Sequence, residues 1–292
     1  MFKRISCLAL CLILISGISV QQVVAAGNEI DVSDVTSPEL VEVQNDKPAA
    51  PALYVDGALV EQGALIYRDE IPYVSLRYAA TALRPDATVI WTGDYAQITA
   101  EGLAITVNPD LTYVVANDRY LYLPEGVLYE NGMIRIPAHM MAKVFNAECS
   151  ADPVTKDISF TTGSGSLVPG SEFYNKDDLY WLSHIIHAES GNQPLEGKIA
   201  VGNVVLNRAA DTSPTFPNSI YGVIHQKNQF SPVKNGTINL TPNEESVLAA
   251  KLCLDGAVVL PTALWFNSAR SNSWAAKHKT YITTIGGHAF YA

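Results

Sequence analysis

The sequence predicts a multidomain α+β protein, with a duplicated β-rich domain followed by a mostly helical domain at the C-terminal end. The first observation is a set of short runs of β-branched and aromatic residues, separated by turn residues, over residues 52–162. The second is a helical spacing of apolar residues that begins near residue 177. The third is the uneven distribution of charge along the chain. Residues 1–170 carry 20 acidic and 10 basic side chains, whereas residues 171–292 carry 9 of each. These differences indicate two modules.

The composition excludes several classes of protein. The chain has 292 residues, of which 48% are hydrophobic and 16% are charged, so it is globular and not disordered. The formal net charge is −10, and there is no run of basic residues. Nucleic acids and anionic lipids attract basic surfaces, so we expect neither of them as a partner.

Residues 1–26 have the pattern of a secretory signal peptide. Lys3 and Arg4 supply the positive start, an apolar run follows, and Val24-Ala25-Ala26 forms a cleavage site of small residues. The alternative is an uncleaved membrane anchor, but the apolar run is short for a membrane span. We therefore expect an exported protein that has no membrane contact after the signal is removed.

Residues 27–51 are rich in Asp, Glu, Pro, Ser and Val without periodicity, and they are interpreted as an acidic linker. Removal of the signal leaves Cys149 and Cys253, which lie in different modules. Two cysteines exclude a disulfide framework. A single bridge is one alternative, and two buried free thiols are the favoured one.

The β-rich domain repeats itself. Residues 66–99 and residues 128–159 each read as strand, polar turn, strand, short helix and strand, with an offset of about 60 residues. We interpret the two segments as copies within one domain over residues 52–162. Residues 163–171, rich in Gly and Ser, are predicted to be a flexible linker to the second module.

Part of this domain resembles the copper amine oxidase N-terminal-like domain of secreted bacterial proteins. The resemblance is carried by Pro72-Tyr73-Val74-Ser75-Leu76-Arg77, the helix over residues 79–83 and Val89-Ile90-Trp91. It implies a positioning or wall-contact module. We expect no copper site, because His139 is the only histidine before residue 171 and copper favours several imidazole ligands.

The second module, residues 172–292, begins with two predicted helices. Apolar residues recur at helical spacing over residues 177–190, and Gly191 supplies a stop. A second helix is predicted over residues 195–209, where Gly197 and Gly202 permit close packing of helices.

Glu189 is a single carboxylate in the last turn of the first of these helices. A helix C-terminus disfavours negative charge and apolar neighbours desolvate it, so both features are expected to raise the pKa of Glu189. A carboxyl group that keeps its proton near neutral pH is suited to general acid catalysis at a glycosidic bond. From spacing alone, a solvated glutamate at a helix end remains the alternative.

The stretch from His187 to Arg208, HAESGNQPLEGKIAVGNVVLNR, resembles the core of the spore-cortex-lytic and cell-wall hydrolase family of the SleB type. Further matching pieces follow in the same order at residues 216–220, 223–226, 229–232, 240–243, 265–267 and 285–291. The resemblance implies a peptidoglycan-cleaving enzyme with a lysozyme-like, mostly helical fold and Glu189 as its acid. It also implies that the protein is associated with the cell wall or the spore cortex. Many cortex-lytic members carry a different N-terminal domain from this chain, so a role in spore germination is left open.

Two mechanisms are compatible with this resemblance. In a lytic transglycosylase, Glu189 protonates the bond between N-acetylmuramic acid and N-acetylglucosamine, and the sugar's own 6-hydroxyl attacks to give a 1,6-anhydro end. An inverting hydrolase needs a second carboxylate, for which Glu196 is the nearest candidate. Glu196 is alternatively a first-turn carboxylate that faces helix N–H groups. We favour the lone-acid route.

The remaining predicted site residues are those expected to bind the glycan strand of peptidoglycan. Aromatic faces beside amide and hydroxyl groups suit a groove that stacks sugar rings, although core packing is the alternative for the phenylalanine. The substrate-binding candidates are Ser190, Gln229, Phe230, Ser231, Trp265, Asn267 and His288.

We expect neither a metal nor a cofactor. His184 and His187 lie one helical turn apart near Glu189, but this spacing is not that of a zinc hydrolase. A zinc-dependent wall amidase and a non-catalytic wall-binding protein are kept as alternatives to the glycosidase.

Overall fold

The N-terminal region is built from short strands and two short helices. The computed structural model describes residues 50–292, so the predicted signal peptide and residues 27–49 of the predicted acidic linker lie outside the described part of the chain. The strands are β1 (Leu53–Val55), β2 (Ala58–Leu59), β3 (Leu65–Arg68), β4 (Ile71–Ser75), β5 (Thr88–Trp91), β6 (Ala96–Ala100), β7 (Leu103–Val107), β8 (Tyr113–Ala116), β9 (Arg119–Tyr122), β10 (Leu128–Glu130), β11 (Met133–Pro137), β12 (Glu148–Ala151) and β13 (Ile158–Thr161). The helices are α1 (Leu76–Leu83) and α2 (Ala138–Val144). The prediction of a β-rich N-terminal region is confirmed.

These strands form three sheets. One has the order β10-β11-β4-β3, and its central strands β4 and β11 pair antiparallel with Val74 opposite Ile136. Another has the order β12-β13-β1-β2 and contains the parallel pair β1 and β13. Strands β5 to β9 form an antiparallel meander. The two predicted repeat segments each contain a hairpin followed by a helix and further strands.

The alternating pattern of the strands sets their buried face. In β7, Leu103, Ile105 and Val107 are buried and the residues between them are more exposed, as expected for a strand with one face on the core. The turn between β10 and β11 is Asn131-Gly132, and both residues have positive φ, at 53° and 73°. This conformation is typical of a two-residue hairpin turn and is accessible to Asn and Gly at low cost.

The C-terminal region is mostly helical, as predicted, and it also contains a small sheet. Its helices are α3 (Gly170–Phe173), α4 (Lys176–Ser190), α5 (Leu195–Ala210), α6 (Ile220–His225), α7 (Ser231–Asn235), α8 (Glu244–Leu254) and α9 (Trp274–His278). Its strands are β14 (Trp265–Ser268), β15 (Tyr281–Ile285) and β16 (His288–Tyr291), in the order β14-β16-β15.

Helices α4, α5 and α8 form the centre of this region. Asn175 caps α4, because its side-chain oxygen accepts hydrogen bonds from the backbone N–H groups of Asp177 and Asp178 at 2.9 and 3.0 Å. Gly202 brings α5 close to α8, since a Cβ atom at this position would lie 2.6 Å from Cys253 Sγ. The predicted role of Gly202 in close helix packing is therefore confirmed.

The segment 163–171, predicted to be a flexible linker, is held by specific contacts. Leu167 is buried in the core of the β-rich region, and Asn117 Nδ2 donates a hydrogen bond of 2.9 Å to the Leu167 carbonyl. At its end, the Gly170 N–H donates to the Asn117 carbonyl at 2.8 Å. The segment is held because its one large buried apolar side chain, that of Leu167, packs into the core of the β-rich region.

The two regions also meet through a buried ionic contact. Arg119, at the start of β9, donates from Nε to Asp255 Oδ1 at 2.9 Å, and Asp255 follows the last residue of α8. The Tyr174 hydroxyl donates to the other carboxylate oxygen of Asp255. Tyr113, Tyr120 and Tyr122 of strands β8 and β9 pack against the helical core. The described β-rich and helical regions therefore belong to one compact unit.

Both cysteines in the described part of the chain are free. Cys253 is buried on α8, as predicted, whereas Cys149 is exposed. The prediction of two buried thiols is wrong for Cys149, because β12 is the edge strand of its sheet and all of its residues are exposed. Within residues 50–292, no helix is both long enough and apolar enough to cross a bilayer.

Candidate active site

Glu189 lies at the wall of a cavity of about 610 Å³ in the helical region. Its walls come from the last turns of α4 and α5, the chain between α6 and α7, strand β14 and the start of β16. The volume is in the range of small-molecule sites, and the mixture of polar groups with a few aromatic rings suits a polar ring-shaped ligand such as a sugar.

The carboxyl group of Glu189 is desolvated. Burial raises its pKa above the ordinary glutamate value. Within residues 50–292, no cation forms an ion pair with this carboxylate to oppose the effect. The arrangement favours a carboxyl group that carries a proton and is able to donate it.

The chain turns away sharply after this helix, at Gly191. A Cβ atom at Gly191 would lie 2.6 Å from the His187 carbonyl oxygen, so a side chain does not fit here. The Gln193 side chain then accepts a hydrogen bond of 2.6 Å from the Gly287 N–H, which ties the turn to the β15–β16 connection. These contacts fix the end of α4, where Glu189 lies.

Five of the predicted substrate-binding residues line the cavity together with Glu189. They are Gln229, Phe230, Ser231, Asn267 and His288. Burial lowers the pKa of His288, so its ring is neutral near pH 7. The Asn267 side chain is held by its neighbours, since its Oδ1 accepts a hydrogen bond from the Ser273 hydroxyl at 2.5 Å.

Ser190 and Trp265 are not brought to this cavity. Ser190 is fully buried, and its hydroxyl donates a hydrogen bond of 2.7 Å to the Ile186 carbonyl, so it offers no surface to a substrate. Trp265, at the start of β14, packs instead against Ala275, Ala289 and Tyr291. Its ring receives the Lys279 ammonium at 3.6 Å from the centroid.

Glu196 is placed at a different cavity. It is exposed in the first turn of α5 and lines a cavity of about 480 Å³ together with Pro194 and residues 283–286. Among the described residues, Glu189 is the sole carboxylate in the lining of its own cavity. The structure therefore does not bring the two predicted carboxylates to one site.

Several residues that line the Glu189 cavity were not predicted from the sequence, among them Arg208, Gln226 and the two lysines Lys227 and Lys234. Arg208 is only 4% exposed, and its Nε donates a hydrogen bond of 2.7 Å to the Leu264 carbonyl. A signal for its burial was available, since Arg208 follows Val201, Val204 and Val205 at helical spacing on the buried face of α5.

The two histidines near Glu189 make contacts within the fold. His184 is buried, and its Nδ1 lies 2.7 Å from the Ile238 carbonyl oxygen. His187 Nδ1 accepts a hydrogen bond of 3.4 Å from the Asn243 N–H. Over residues 50–292, no group of three or more His, Cys, Asp or Glu side chains is placed to hold a metal ion.

Several known proteins are similar to part of this chain. A spore cortex-lytic enzyme of Bacillus cereus is 35% identical over 127 residues, which are 43% of this chain and 48% of that protein. A spore cortex-lytic enzyme of Bacillus subtilis is 33% identical over 124 residues, which are 42% of this chain and 39% of that protein. The chain thus spans about half the length, or less, of these relatives. A solved structure, the catalytic domain of the germination-specific lytic transglycosylase SleB from Bacillus anthracis, is 32% identical and is covered completely by 43% of this chain, with a TM-score of 0.38.

Two family models match separate parts of the chain. The Cell Wall Hydrolase model matches residues 192–291, and its match begins just after the helix that carries Glu189. The Copper amine oxidase N-terminal domain model matches residues 54–160. Residues 192–291 therefore belong to the cell wall hydrolase family, and residues 54–160 belong to the copper amine oxidase N-terminal domain family.

Proposed function

We propose that this chain is a peptidoglycan-degrading enzyme that cleaves the glycosidic bond between N-acetylmuramic acid and N-acetylglucosamine with Glu189 as its single general acid. The product is a 1,6-anhydromuramic acid end, so the enzyme is a lytic transglycosylase. The observation that carries the proposal is one desolvated carboxyl group in a cavity with no second carboxylate among its described lining residues.

The proposed reaction uses Glu189 twice. Its carboxyl group donates a proton to the glycosidic oxygen, and the bond from that oxygen to C1 of the muramic acid breaks. The 6-hydroxyl of the same sugar then attacks C1, and the Glu189 carboxylate takes the hydroxyl proton. Glu189 ends protonated, no water is consumed, and the new bond closes the anhydro ring.

Attack by water is the alternative reaction. A hydrolase of the inverting type places its two carboxyl groups about 6.5–9.5 Å apart across the bond. Glu196, the candidate for the second group, lines another cavity and is exposed. The lone-acid route needs no such partner.

The proposal predicts that Glu189→Gln reduces wall cleavage by about 10² or more, because glutamine keeps the shape of the side chain but donates no proton. Glu196→Gln is the matched control, with the same chemical change at an exposed residue of α5. We expect Glu196→Gln to retain near wild-type rates of turbidity loss from purified peptidoglycan.

Mass spectrometry of the released fragments separates the two reactions. Anhydro ends are lighter than hydrated ends by one water, and we expect them from the wild type. Hydrated ends, with an equal loss of activity in both variants, would overturn the lone-acid mechanism. Full activity of a folded Glu189→Gln protein would overturn the assignment of the acid.

For the β-rich region, we propose contact with the wall. Trp91 and Tyr129 are exposed and stack on each other, with ring centroids 5.1 Å apart, beside a cavity of about 230 Å³. Exposed aromatic rings are suited to stacking on sugars. We expect Trp91→Ala to lower the fraction of protein that sediments with insoluble peptidoglycan while leaving the cleavage of soluble fragments unchanged. Equal sedimentation of both proteins would contradict this role.

We further propose the following organisation. Residues 1–26 direct export and are removed, residues 27–51 are a linker, residues 52–162 are a duplicated β-rich domain, and residues 172–292 are a lysozyme-like catalytic domain. The shared order of hairpin and helix in both halves of the β-rich region supports the duplication. The N-terminal residue of the exported protein tests the signal peptide, since we expect it to be Gly27.

A further inference from the structure

The polar groups of the Glu189 cavity are incompletely paired. In residues 50–292, five buried side-chain nitrogen or oxygen atoms have no hydrogen-bond partner in the protein. Three of them, Arg208 Nη1, Gln226 Oε1 and His288 Nδ1, belong to residues that line this one cavity. Buried polar atoms are nearly always paired, so a cluster of unpaired ones indicates a partner that comes from outside the chain.

Arg208 is the most demanding of the three, because it carries a charge. Its guanidinium is held by one hydrogen bond from Nε to the Leu264 carbonyl and lies 4.9 and 5.3 Å from the ring centroids of Phe216 and Phe230. Within residues 50–292, Arg208 forms no ion pair. Burial lowers its pKa to about 10, which still leaves it charged at neutral pH.

The charge of the cavity agrees with an anionic ligand. Lys227 and Lys234 also line it, both exposed, so three basic side chains stand against the single carboxylate of Glu189. This basic cleft lies in a chain whose net charge is −10. Clefts lined by charge of one sign concentrate ligands of the opposite sign.

We propose that Arg208 binds a carboxylate of the substrate, next to the bond that is cleaved, and thereby selects muramic acid strands over neutral glycans. This inference rests on the proposed function for the identity of the substrate. The planar fork of a guanidinium matches a carboxylate, and Gln226 and His288 supply neighbouring positions for hydroxyl or amide groups of the sugar. In peptidoglycan, the carboxylate belongs either to a free lactyl group or to a stem peptide.

The test measures binding to the full chain carrying Glu189→Gln, so that ligand is not consumed. The probes are a peptide-free strand of alternating N-acetylglucosamine and muramic acid with free lactyl carboxylates, the methyl ester of that strand, and a strand that bears stem peptides. Of the two carboxylate-bearing strands, we expect the tighter-binding one to bind about tenfold or more tightly than the ester. This difference is typical of a hydrogen bond to a charged group.

Two variants, each added to the Glu189→Gln chain, attribute this preference to Arg208. Arg208→Met keeps an unbranched side chain without the charge, and it should bind the carboxylate and ester strands equally. Arg208→Lys keeps the charge without the fork, and it should retain part of the preference. A comparison of the peptide-free and peptide-bearing strands then assigns the carboxylate to the lactyl group or to the peptide.

The outcomes separate this inference from the proposed function. Equal binding of both carboxylate-bearing strands and the ester by the Glu189→Gln chain, a measurement that needs no substitution at Arg208, would overturn the role of Arg208 and leave wall cleavage untouched. It would mean that water alone satisfies the guanidinium. If wild-type protein releases no fragments from peptidoglycan but the preference for carboxylate persists and disappears in Arg208→Met, the proposed function fails and the anion site stands.

Discussion

At the scale of single residues, the site combines two groups that are costly to bury. Glu189 and Arg208 line the same cavity, and burial raises the pKa of the first and lowers the pKa of the second, because desolvation disfavours the charged form of each. As a general acid, Glu189 must retain its proton until substrate binds. As an anion-binding group, Arg208 must have no carboxylate partner within the protein before substrate binds. Both conditions reduce the stability of the free protein, as is common for functional sites.

This cost is measurable at Glu189. The pKa of Glu189 is raised in the folded state, so the folded protein binds the proton more tightly than the unfolded chain does. The stabilisation that the bound proton of Glu189 contributes is fully present below the ordinary glutamate pKa and is lost as pH rises through the raised value. The free energy of unfolding then falls by about 1.4 kcal/mol for each unit by which the pKa is raised. We expect Glu189→Gln to melt at a higher temperature than wild type at neutral pH, with a difference that shrinks towards pH 4.

Glu196→Gln, at an exposed position, is the control and should show no such trend. A melting-temperature difference for Glu189→Gln that does not change between pH 4 and pH 8 would contradict the desolvation of Glu189. The same titration predicts that the rate of cleavage falls as pH rises above the raised pKa, because the acid is then ionised.

At the scale of elements, the position of Glu189 depends on how closely α4, α5 and α8 pack. A methyl group at Gly202 would lie 2.6 Å from Cys253 Sγ and 3.1 Å from Ile186 Cδ1. We therefore expect Gly202→Ala to reduce the free energy of unfolding by about 1–3 kcal/mol, through overpacking between α5 and its neighbours. Urea denaturation measures the change.

Cys253→Ala removes the sulfur atom that the new methyl group would meet. In the double variant Gly202→Ala/Cys253→Ala, we expect the loss to be smaller than the sum of the two single losses. Additive losses would show that the contact between α5 and α8 is not what requires glycine at this position.

The elements also show which parts of the fold are readable from sequence. The helices predicted over residues 177–190 and 195–209 match α4 and α5, because each has a local apolar period and the first has a stop at Gly191. The sheet β14-β16-β15 was not predicted, since it depends on pairs such as Phe266 with Phe290, which are distant in sequence. Within the site, Glu189 and five lining residues were predicted from motifs, whereas the separation of Glu196 from Glu189 depends on tertiary placement.

At the scale of the whole molecule, the helical region contains all the residues of the proposed site. Part of its core, however, packs against residues of the β-rich region. The cavity lining lies within residues 189–288. The helical core is complete apart from its edge, where Tyr113, Tyr120 and Tyr122 of the β-rich region cover it. Asp255 has a fully buried side chain and receives Arg119 across this boundary.

These facts predict how a fragment of residues 171–292 behaves. We expect it to fold and to cleave peptidoglycan, because its core and its cavity are intact, but to melt at a lower temperature than the full chain, because the tyrosine-covered edge becomes exposed. An insoluble or inactive fragment beside an active full chain would show that the two regions cannot be separated.

Asp255→Asn distinguishes the boundary from the rest of the fold. In the full chain the substitution leaves the buried Arg119 guanidinium without its counter-charge, and we expect a loss of about 3 kcal/mol in the free energy of unfolding. In the fragment Arg119 is missing and Asp255 is open to water, so the same substitution should change stability by less than about 1 kcal/mol. Equal losses in both proteins would show that Asp255 stabilises the helical region itself, where the Tyr174 hydroxyl also binds it. They would contradict a role of the Arg119–Asp255 ion pair in joining the two regions.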